Sequence, residues 1–296
     1  TKNIEGTNMT EFGLLQKKGI IAFTDGVKTI QNPRLMSRIM NSAKDIGCLI
    51  MQHAEDYELA KNGMINSGII ATKLGLSGIP EIAERILIER DLTLLEKAKC
   101  RYHISQLSSQ KSLEVIKHRK EFVKFTSGVS INNLSLNEND IGDFRTFLKL
   151  SPPLRSEEDR EALVQGLKDG LIEVIVSDHK PEDEESKRLT FSQAATGASG
   201  IETLLSLSLE LYHNGSLKLE TIIKALTSNP AKILKIDKGN LTIGNDADFC
   251  VVDIDKPWIV KKEKLVSKSK NTSIEDKKLQ GKVTNTFVKG QELFKL

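Results

Sequence analysis

The segment 173–182 holds the most chemically suggestive residues of the sequence, because an apolar run ends there in an ionisable pair. Residues 174–176 are β-branched and favour a strand that is buried on both faces, and Asp178 and His179 follow it. In a barrel of parallel strands, a carboxylate at the carboxyl end of a strand faces the place where the reaction occurs. Asp178 is therefore a candidate catalytic residue, and the alternative is a surface loop that happens to hold an Asp and a His.

Polar side chains also follow other predicted strands. Asp25 comes after the apolar segment 20–24, and His53 comes after the segment 48–52. Carboxylates and imidazoles from several strand ends are what a hydrolytic metal site needs, because the metal must be held while one position stays open for water. Asp25 has the alternative role of a helix N-cap. His53 favours the role of a ligand, since a histidine of the core more often lies in the middle of a strand.

A third strand end contains His103 and Gln106. Side chains alternate between the two faces of a strand, so if Gln106 faces the barrel interior, His103 faces the helices. His118 and His213 lie on predicted helices and are expected at the surface.

The elements that must position these residues repeat one pattern, a short apolar strand followed by a polar turn and an amphipathic helix. Strands are predicted at 20–24, 48–52, 101–107, 122–129 and 173–177, and helices at 9–18, 33–46 and 80–98. Strands that alternate with helices indicate parallel βαβ units. Because these five strands are fewer than the eight of a complete barrel, we predict an α/β fold that is a partial TIM-type (β/α) barrel over residues 1–235.

The remaining residues, 236–296, have a different pattern. The segment 239–248 is rich in turn-forming residues, and short strands are predicted at 249–254, 282–287 and 292–294. We predict that they form a small C-terminal β domain, which needs further strands for independent stability.

Composition limits the class of protein. The sequence has 39% hydrophobic residues, 28% charged residues and a net charge of +3, which is typical of a soluble globular protein. Three widely spaced cysteines without a CxxC motif indicate free thiols, and no apolar run is long enough to span a membrane, so we expect a cytoplasmic protein. We read the lysines near the end as a solvated surface rather than a nucleic-acid site; they are Lys261, Lys262, Lys264, Lys268 and Lys270.

Seven motifs in this order resemble the dihydroorotases of the amidohydrolase superfamily, over nearly all of the sequence. They are HAEDYELA at 53–60, SPPLRSEEDR at 151–160, GLKDG at 166–170, SDH at 177–179, GIET at 200–203, SNPAKI at 228–233 and the turn-rich segment 239–248.

The resemblance implies a metal-dependent barrel that interconverts carbamoyl-aspartate and dihydroorotate in pyrimidine biosynthesis, using metal-activated water and one or two zinc ions. It implies that Asp178 moves the proton between the attacking water and the leaving nitrogen. It also implies that His53 is a metal ligand and that Asp25 occupies the place of the family's Asp-Asp pair, of which one acid is missing here.

Other positions depart from the family pattern. Gln106 stands where the family has a metal-binding histidine, and an amide is a much poorer zinc ligand than an imidazole. At the substrate-binding positions, Ser151 replaces an asparagine, Glu182 replaces a histidine, and Thr196-Gly197 replaces Phe-Gly. A glutamate at position 182 would repel a dicarboxylate substrate.

These departures leave three interpretations. The first is a divergent dihydroorotase acting on a small-molecule substrate. The second is a catalytically silent homologue kept as a structural partner of aspartate carbamoyltransferase. The third is a related cyclic-amide hydrolase of the hydantoinase or allantoinase type. We also expect a homo-oligomer, with neither nucleic acid nor a membrane as a partner.

Overall fold

The computed structural model describes residues 1–296, which divide into two compact units. The first unit comprises residues 1–144 and 150–173, and the second comprises residues 145–149 and 174–296. The predicted boundary between barrel and β domain at residue 235 stays a prediction.

The first unit alternates strands and helices along the chain. Its strands are β1 (Ala22–Phe23), β2 (Leu49–Gln52), β3 (Ile65–Asn66), β4 (Gly78–Ile79), β5 (Arg101–Leu107) and β6 (Thr126–Ser130). Its helices are α1 (Phe12–Lys17), α2 (Pro33–Ile46), α3 (Tyr57–Ala60), α4 (Ile69–Leu74), α5 (Ile82–Ala98), α6 (Gln110–Arg119), α7 (Ile131–Ser135) and α8 (Glu157–Lys168).

Four of these strands form a parallel sheet in the order β1-β2-β5-β6, and β3 pairs with β4 in a separate parallel ribbon. The pairing of β5 with β6 shifts register between Ile104 and Leu107. Such a shift places an extra residue in one strand and interrupts the simple alternation of side chains. The alternation of side chains along the strand therefore does not determine whether His103 and Gln106 face opposite sides of the sheet.

Helix α2 shows why the local sequence fixes the elements around the sheet. The side chain of Asn32 accepts hydrogen bonds from the backbone N–H groups of Arg34 and Leu35, and Pro33 takes the first helical position. Gly47 ends the helix in the left-handed conformation with φ of 69°.

Burial of helix faces against their neighbours stabilises this unit. Helix α5 packs against α2 and α6, and its buried side includes Leu87, Ile88, Leu92 and Leu95. Full burial of one such side chain contributes about 1.5–3 kcal/mol before the cost of ordering the chain.

The second unit holds one strand of the predicted barrel and the predicted antiparallel strands. Its elements are β7 (Val174–Val176), α9 (Glu184–Arg188), α10 (Leu204–His213), α11 (Leu219–Leu226), α12 (Ser228–Leu234), β8 (Phe249–Ile259), β9 (Lys278–Val288) and β10 (Gln291–Lys295). The last three form an antiparallel sheet in the order β10-β9-β8. Helix α10 lies so close to β9 that a side chain at Gly281 would meet Leu209 at 2.3 Å.

The predicted fold class is confirmed, with parallel βα units followed by a small antiparallel sheet. No helix combines the length and the apolar character that crossing a membrane requires. The lysines at 261, 262, 264 and 268 are exposed, whereas the residues that follow them, Asn271–Ile274, are buried.

Candidate functional site

Asp178 lies just beyond β7 in the second unit, at the strand end where the sequence places it. Its φ of 49° puts it in the left-handed region, which few residues other than glycine adopt. Unusual backbone conformations of this kind are concentrated at functional sites, so the observation agrees with a catalytic role for Asp178.

The segment 196–200 lies directly against the chain around Asp178. His179 forms a parallel bridge with Ala198, and the N–H of Lys180 donates to the carbonyl of Ala198 at 2.8 Å. Two glycines permit this approach. A Cβ atom at Gly197 would lie 2.6 Å from the carbonyl oxygen of Lys180, and one at Gly200 would lie 2.4 Å from that of Ser177.

The structure therefore places the segment 196–200, which holds the predicted site residues Thr196 and Gly197, against the backbone that flanks Asp178. The two glycine contacts lie on both sides of Asp178, because they involve the residue before it and the residue two positions after it. Only glycine avoids a clash at both contacts, which fixes the segment close to the backbone on either side of Asp178.

Three residues hold the backbone on either side of Thr196. The ammonium of Lys187 donates to the carbonyl oxygens of Ala195 at 2.7 Å and of Gly197 at 2.9 Å. The amide of Asn271 donates to the same Gly197 oxygen at 3.1 Å. The N–H of Gly197 donates to the carbonyl of Lys149 at 2.9 Å.

Asn271 is also a connection point for the chain after Asp178. Its side-chain oxygen accepts from the N–H of Glu182 at 3.3 Å and from the Ser269 hydroxyl at 2.6 Å. Its backbone carbonyl accepts from the N–H of Ser199 at 3.0 Å. One buried amide side chain thus joins the chain beyond Asp178 to the segment 196–200.

Burial shapes the protonation of the lysines in this region. Lys187 is 1% exposed, and desolvation lowers the pKa of its ammonium to about 8 although Glu182 acts in the opposite direction. Desolvation also lowers the pKa of Lys149, whose ammonium donates to the carbonyl of Ser192 at 2.9 Å. Lys187 therefore carries its charge at neutral pH in a position that disfavours it.

His179 has a structural role beside the candidate carboxylate. Its Nδ1 accepts from the N–H groups of Gly200 at 3.2 Å and Ile201 at 3.3 Å. The ring proton of the neutral imidazole is consequently on Nε2.

In the first unit, Asp25 follows β1 and is buried, as a strand-end ligand would be. Its carboxylate accepts a hydrogen bond from the Thr1 hydroxyl within the unit.

His53 and Ser151, predicted as a metal ligand and a substrate-binding residue, lie beside each other in the same unit. The distance between the His53 Nε2 and the Ser151 Oγ is 3.4 Å, and the imidazole is 3% exposed. The carbonyl of His53 accepts from the Thr29 hydroxyl at 2.6 Å, which fixes the backbone at the end of β2.

Behind His53, a buried polar network holds the end of β2. The amide of Gln52 donates to the carboxylate of Asp91, which also accepts from the Tyr102 hydroxyl at 2.7 Å and from Arg90 Nε at 2.8 Å. Burial raises the pKa of Asp91, while Arg90 lowers it. A fully satisfied network of this kind makes the local backbone rigid.

On β5, His103 is buried, and its Nδ1 lies 2.8 Å from the Thr126 hydroxyl. Burial, with a smaller effect of Lys120, lowers the pKa of His103 to about 4, so the imidazole is neutral near pH 7. Gln106 is half-buried and lies within the register shift on the same strand, between Ile104 and Leu107. Its proposed orientation toward the site stays a prediction.

The predicted metal ligands do not assemble a complete site. The structure contains no group of three or more His, Cys, Asp and Glu side chains arranged to hold a metal ion. The third predicted position is an amide, Gln106. The side chains of this chain therefore do not by themselves fit a zinc centre.

Comparison with known proteins decides the family. The model of the amidohydrolase family matches residues 10–293 of the sequence. The chain belongs to the amidohydrolase family. The resemblance found in the sequence motifs is thereby confirmed.

Curated relatives of this amidohydrolase are dihydroorotases. The chain is 40% identical over 290 residues to dihydroorotase from Ehrlichia chaffeensis, covering 97% of this chain and 65% of that protein. It is 40% identical over 295 residues to dihydroorotase from Syntrophus aciditrophicus, covering 99% of this chain and 69% of that protein. The chain thus spans about two thirds of the length of these relatives.

Solved structures with the same fold include an L-hydantoinase from Arthrobacter aurescens, with a TM-score of 0.84 and 25% identity over 96% of this chain and 67% of that one. A dihydropyrimidinase from Brevibacillus agri also has a TM-score of 0.84, at 20% identity, covering 96% of this chain and 65% of that one. These similarities confirm the architecture predicted from the alternating elements.

The sequence motifs did not reveal Lys187 and Asn271. Lys187 lies in the acid-rich segment 183–188, which resembles an exposed helix, and Asn271 follows the lysine-rich segment that we read as solvated. One feature of the sequence does indicate that Asn271 is buried. The short run of small polar residues after Lys270 lacks the charged side chains of a solvated surface.

Proposed function

We propose that this amidohydrolase is a dihydroorotase-type cyclic-amide hydrolase, which interconverts carbamoyl-aspartate and dihydroorotate in pyrimidine biosynthesis. The observation that carries the proposal is the close approach of the segment 196–200 to Asp178 through Gly197 and Gly200. That arrangement offers a carboxylate and a substrate-contacting backbone segment at one strand end. The dihydroorotases at 40% identity support the choice of substrate.

In this proposal Asp178 transfers the proton. As an ionised carboxylate it accepts a proton from the water that attacks the ring carbonyl, and it delivers that proton to the leaving ring nitrogen. Both transfers require Asp178 to be within hydrogen-bond reach of the two atoms, and a positioned group of this kind contributes about 10²–10⁴ in rate. Thr196 and Gly197 orient the substrate beside this carboxylate. The substrate-binding role of Ser151, in the first unit, stays a prediction.

The resemblance also implies one or two zinc ions, with His53 and Asp25 as the candidate ligands in this chain. Because the side chains present do not complete a zinc site, we derive no step of the reaction through a metal. The proton transfer at Asp178 is argued from the residues around that carboxylate.

The test is a dihydroorotate ring-opening assay on the purified protein, followed by the change in ultraviolet absorbance, with zinc content measured on the same sample. Asp178→Asn is expected to lower kcat by about 10³-fold without altering the circular dichroism spectrum. The matched control is Asp143→Asn, which removes a carboxylate from an exposed turn. Activity of Asp178→Asn within about tenfold of the parent protein would contradict the role of Asp178.

A second candidate function is that of a silent structural partner of aspartate carbamoyltransferase. The observation in its favour is the incomplete set of metal ligands, with Gln106 at the third predicted position. This function predicts neither turnover nor zinc in the purified protein, together with a stable complex when the two proteins are mixed and separated by size. Turnover of dihydroorotate would exclude it.

A third candidate is hydrolysis of hydantoin or dihydrouracil, which the solved hydantoinase and dihydropyrimidinase folds favour. Glu182 adds to this case, because a glutamate near the substrate disfavours a carboxylate-bearing ring. Lys180 offsets part of that charge, since its ammonium lies 3.8 Å from the Glu182 carboxylate. The ratio of kcat/KM for dihydroorotate to that for hydantoin distinguishes the two substrate classes.

A further inference from the structure

We propose that Lys187 is a positioning residue for the substrate, because its ammonium fixes the carbonyl groups on both sides of Thr196 and so sets the orientation in which Thr196 meets a cyclic amide. The inference rests on the proposed function of the segment 196–197 and adds a residue that no sequence motif indicated.

The geometry is that of a two-point clamp. The Lys187 Nζ donates to the Ala195 oxygen at 2.7 Å and to the Gly197 oxygen at 2.9 Å, so one charged group binds two carbonyls that are separated by a single residue. Hydrogen bonds from a charged donor are stronger than those between neutral groups. Thr196 is the residue between the two fixed carbonyls.

The N–H groups of the two flanking residues are also held. The N–H of Ala195 donates to the carbonyl of Ser186 at 3.0 Å, and that of Gly197 donates to Lys149 at 2.9 Å. All four backbone polar groups that flank Thr196 are therefore bonded within the protein. The half-buried Thr196 is left to present its hydroxyl to a ring that carries alternating N–H and C=O groups.

A buried ammonium is a costly way to fill this position. Lys187 is 1% exposed, and desolvation lowers its pKa to about 8, so the folded protein disfavours the charge that it nevertheless carries at neutral pH. An apolar side chain of similar length would fill the space without that cost. The charge is explained by the two carbonyls that it holds in place.

The experiment compares Lys187→Met with Lys277→Met in the dihydroorotate assay. Lys277 is the control, because its half-buried side chain lies in the same unit and its ammonium binds the Glu210 carboxylate at 2.8 Å rather than a carbonyl that flanks Thr196. Lys187→Met is expected to raise KM by about tenfold and to change kcat by less than about threefold, whereas Lys277→Met leaves KM within about twofold. Lys187→Arg, which keeps the charge and the paired donors, is expected to recover most of the loss in KM.

A double-mutant cycle tests whether Lys187 acts through Thr196. If it does, adding Lys187→Met to Thr196→Ala raises KM by less than about twofold, since the oriented group is already absent. Independent tenfold effects of the two changes would overturn the proposal. Equal effects of Lys187→Met and Lys277→Met on KM would overturn it as well.

Hydrogen–deuterium exchange over residues 190–200 separates the clamp from the proposed activity. Faster exchange in Lys187→Met than in Lys277→Met supports the clamp even if the parent protein fails to open dihydroorotate, an outcome that would defeat the proposed function alone. Unchanged exchange in a folded Lys187→Met protein would overturn the clamp. If Lys187→Met does not fold, the same comparison is made between Lys187→Arg and the parent protein, and slower exchange or no change is the expected result.

Discussion

The two units hold their candidate functional residues in different ways. In the first unit the candidate ligand side chain is itself in contact within the unit, since the His53 Nε2 lies 3.4 Å from the Ser151 hydroxyl. In the second unit the backbone is bound, because Lys187 and Asn271 hold the carbonyls next to Thr196. A bound backbone leaves the neighbouring side chain for a ligand, which is why the proposed function relies on the second unit.

The first unit also contains buried charged groups behind its strand ends. Arg155 donates to the Asn66 side chain at 2.8 Å, to the Ile79 carbonyl at 2.6 Å and to the Ser108 hydroxyl at 3.1 Å. The carboxylate of Glu84 accepts from the N–H of Ser108 at 3.0 Å. Both charged groups are buried, so each depends on the other polar groups of the cluster.

The largest effect is expected for Arg155→Met, which would lower the free energy of unfolding by about 3–5 kcal/mol because Glu84 then becomes a buried charge without its cation. Urea denaturation followed by circular dichroism measures the loss. Arg188→Met is the control, since Arg188 makes only exposed pairs with Glu184 and Glu185 and should cost less than about 1 kcal/mol. Similar losses in the two variants would remove the contrast between the units.

In the second unit the corresponding variant tests the close contact between two backbone segments rather than a buried charge. Gly197→Ala is expected to cost about 3 kcal/mol and to lower kcat/KM by about 10²-fold, because the new Cβ meets the Lys180 carbonyl at 2.6 Å where φ is 140°. Gly215→Ala is the control, with φ of 76° and no atom within 4 Å of the added carbon. Equal activity of the two variants would mean that the close approach at Gly197 has no functional importance.

For the first unit, the pH dependence of the free energy of unfolding provides a further test. The pKa of His103 is about 4 in the folded protein and 6.5 ordinarily, so the unfolded chain binds more protons between these values. Stability contributed by the neutral imidazole is therefore present above pH 6.5 and is lost as the pH falls toward 4, by about 3 kcal/mol in all. His103→Asn should flatten this part of the stability profile. His118→Asn, at an exposed position on α6, should leave the profile unchanged.

The smallest effect is expected for Gln106→His. If Gln106 faces the strand-end site near His53, the added imidazole should tighten zinc binding by at least about tenfold, because imidazole is a far better zinc ligand than an amide. A chelator competition titration measures the affinity. Gln280→His, on an exposed part of β9, is the control. Equal affinity of both variants would show that Gln106 does not face the site.

Local signals in the sequence predicted much of the fold. Helix α2 was predicted at 33–46 and is observed at Pro33–Ile46, because the capping asparagine, the first proline and the final glycine all act within that segment. Strand β5 was likewise predicted at the observed bounds of 101–107. The two-residue strands β3 and β4 were missed, since each is defined by its pairing with the other rather than by its own residues.

Part of the candidate site was predicted from strand ends and glycines in the sequence. Asp178, His53 and Asp25 follow their strands as expected, whereas the supporting residues are defined by contacts distant in sequence. Asn271 bonds to a carbonyl 74 residues earlier in the chain. The register shift in β5 shows the same limit, because an extra residue in a strand cannot be recognised from the alternation that it interrupts.

The distance in sequence between Asn271 and Gly197 has a consequence for the order in which the protein is made on the ribosome. Lys187 precedes the segment it binds by only 8 residues for Ala195 and 10 for Gly197, so that contact can form as soon as the segment emerges. The Asn271 contact must wait for 74 further residues. During synthesis at about 5–20 residues per second, the segment 196–200 therefore lacks its Asn271 contact for several seconds, while Lys187 can already bind the carbonyls of Ala195 and Gly197.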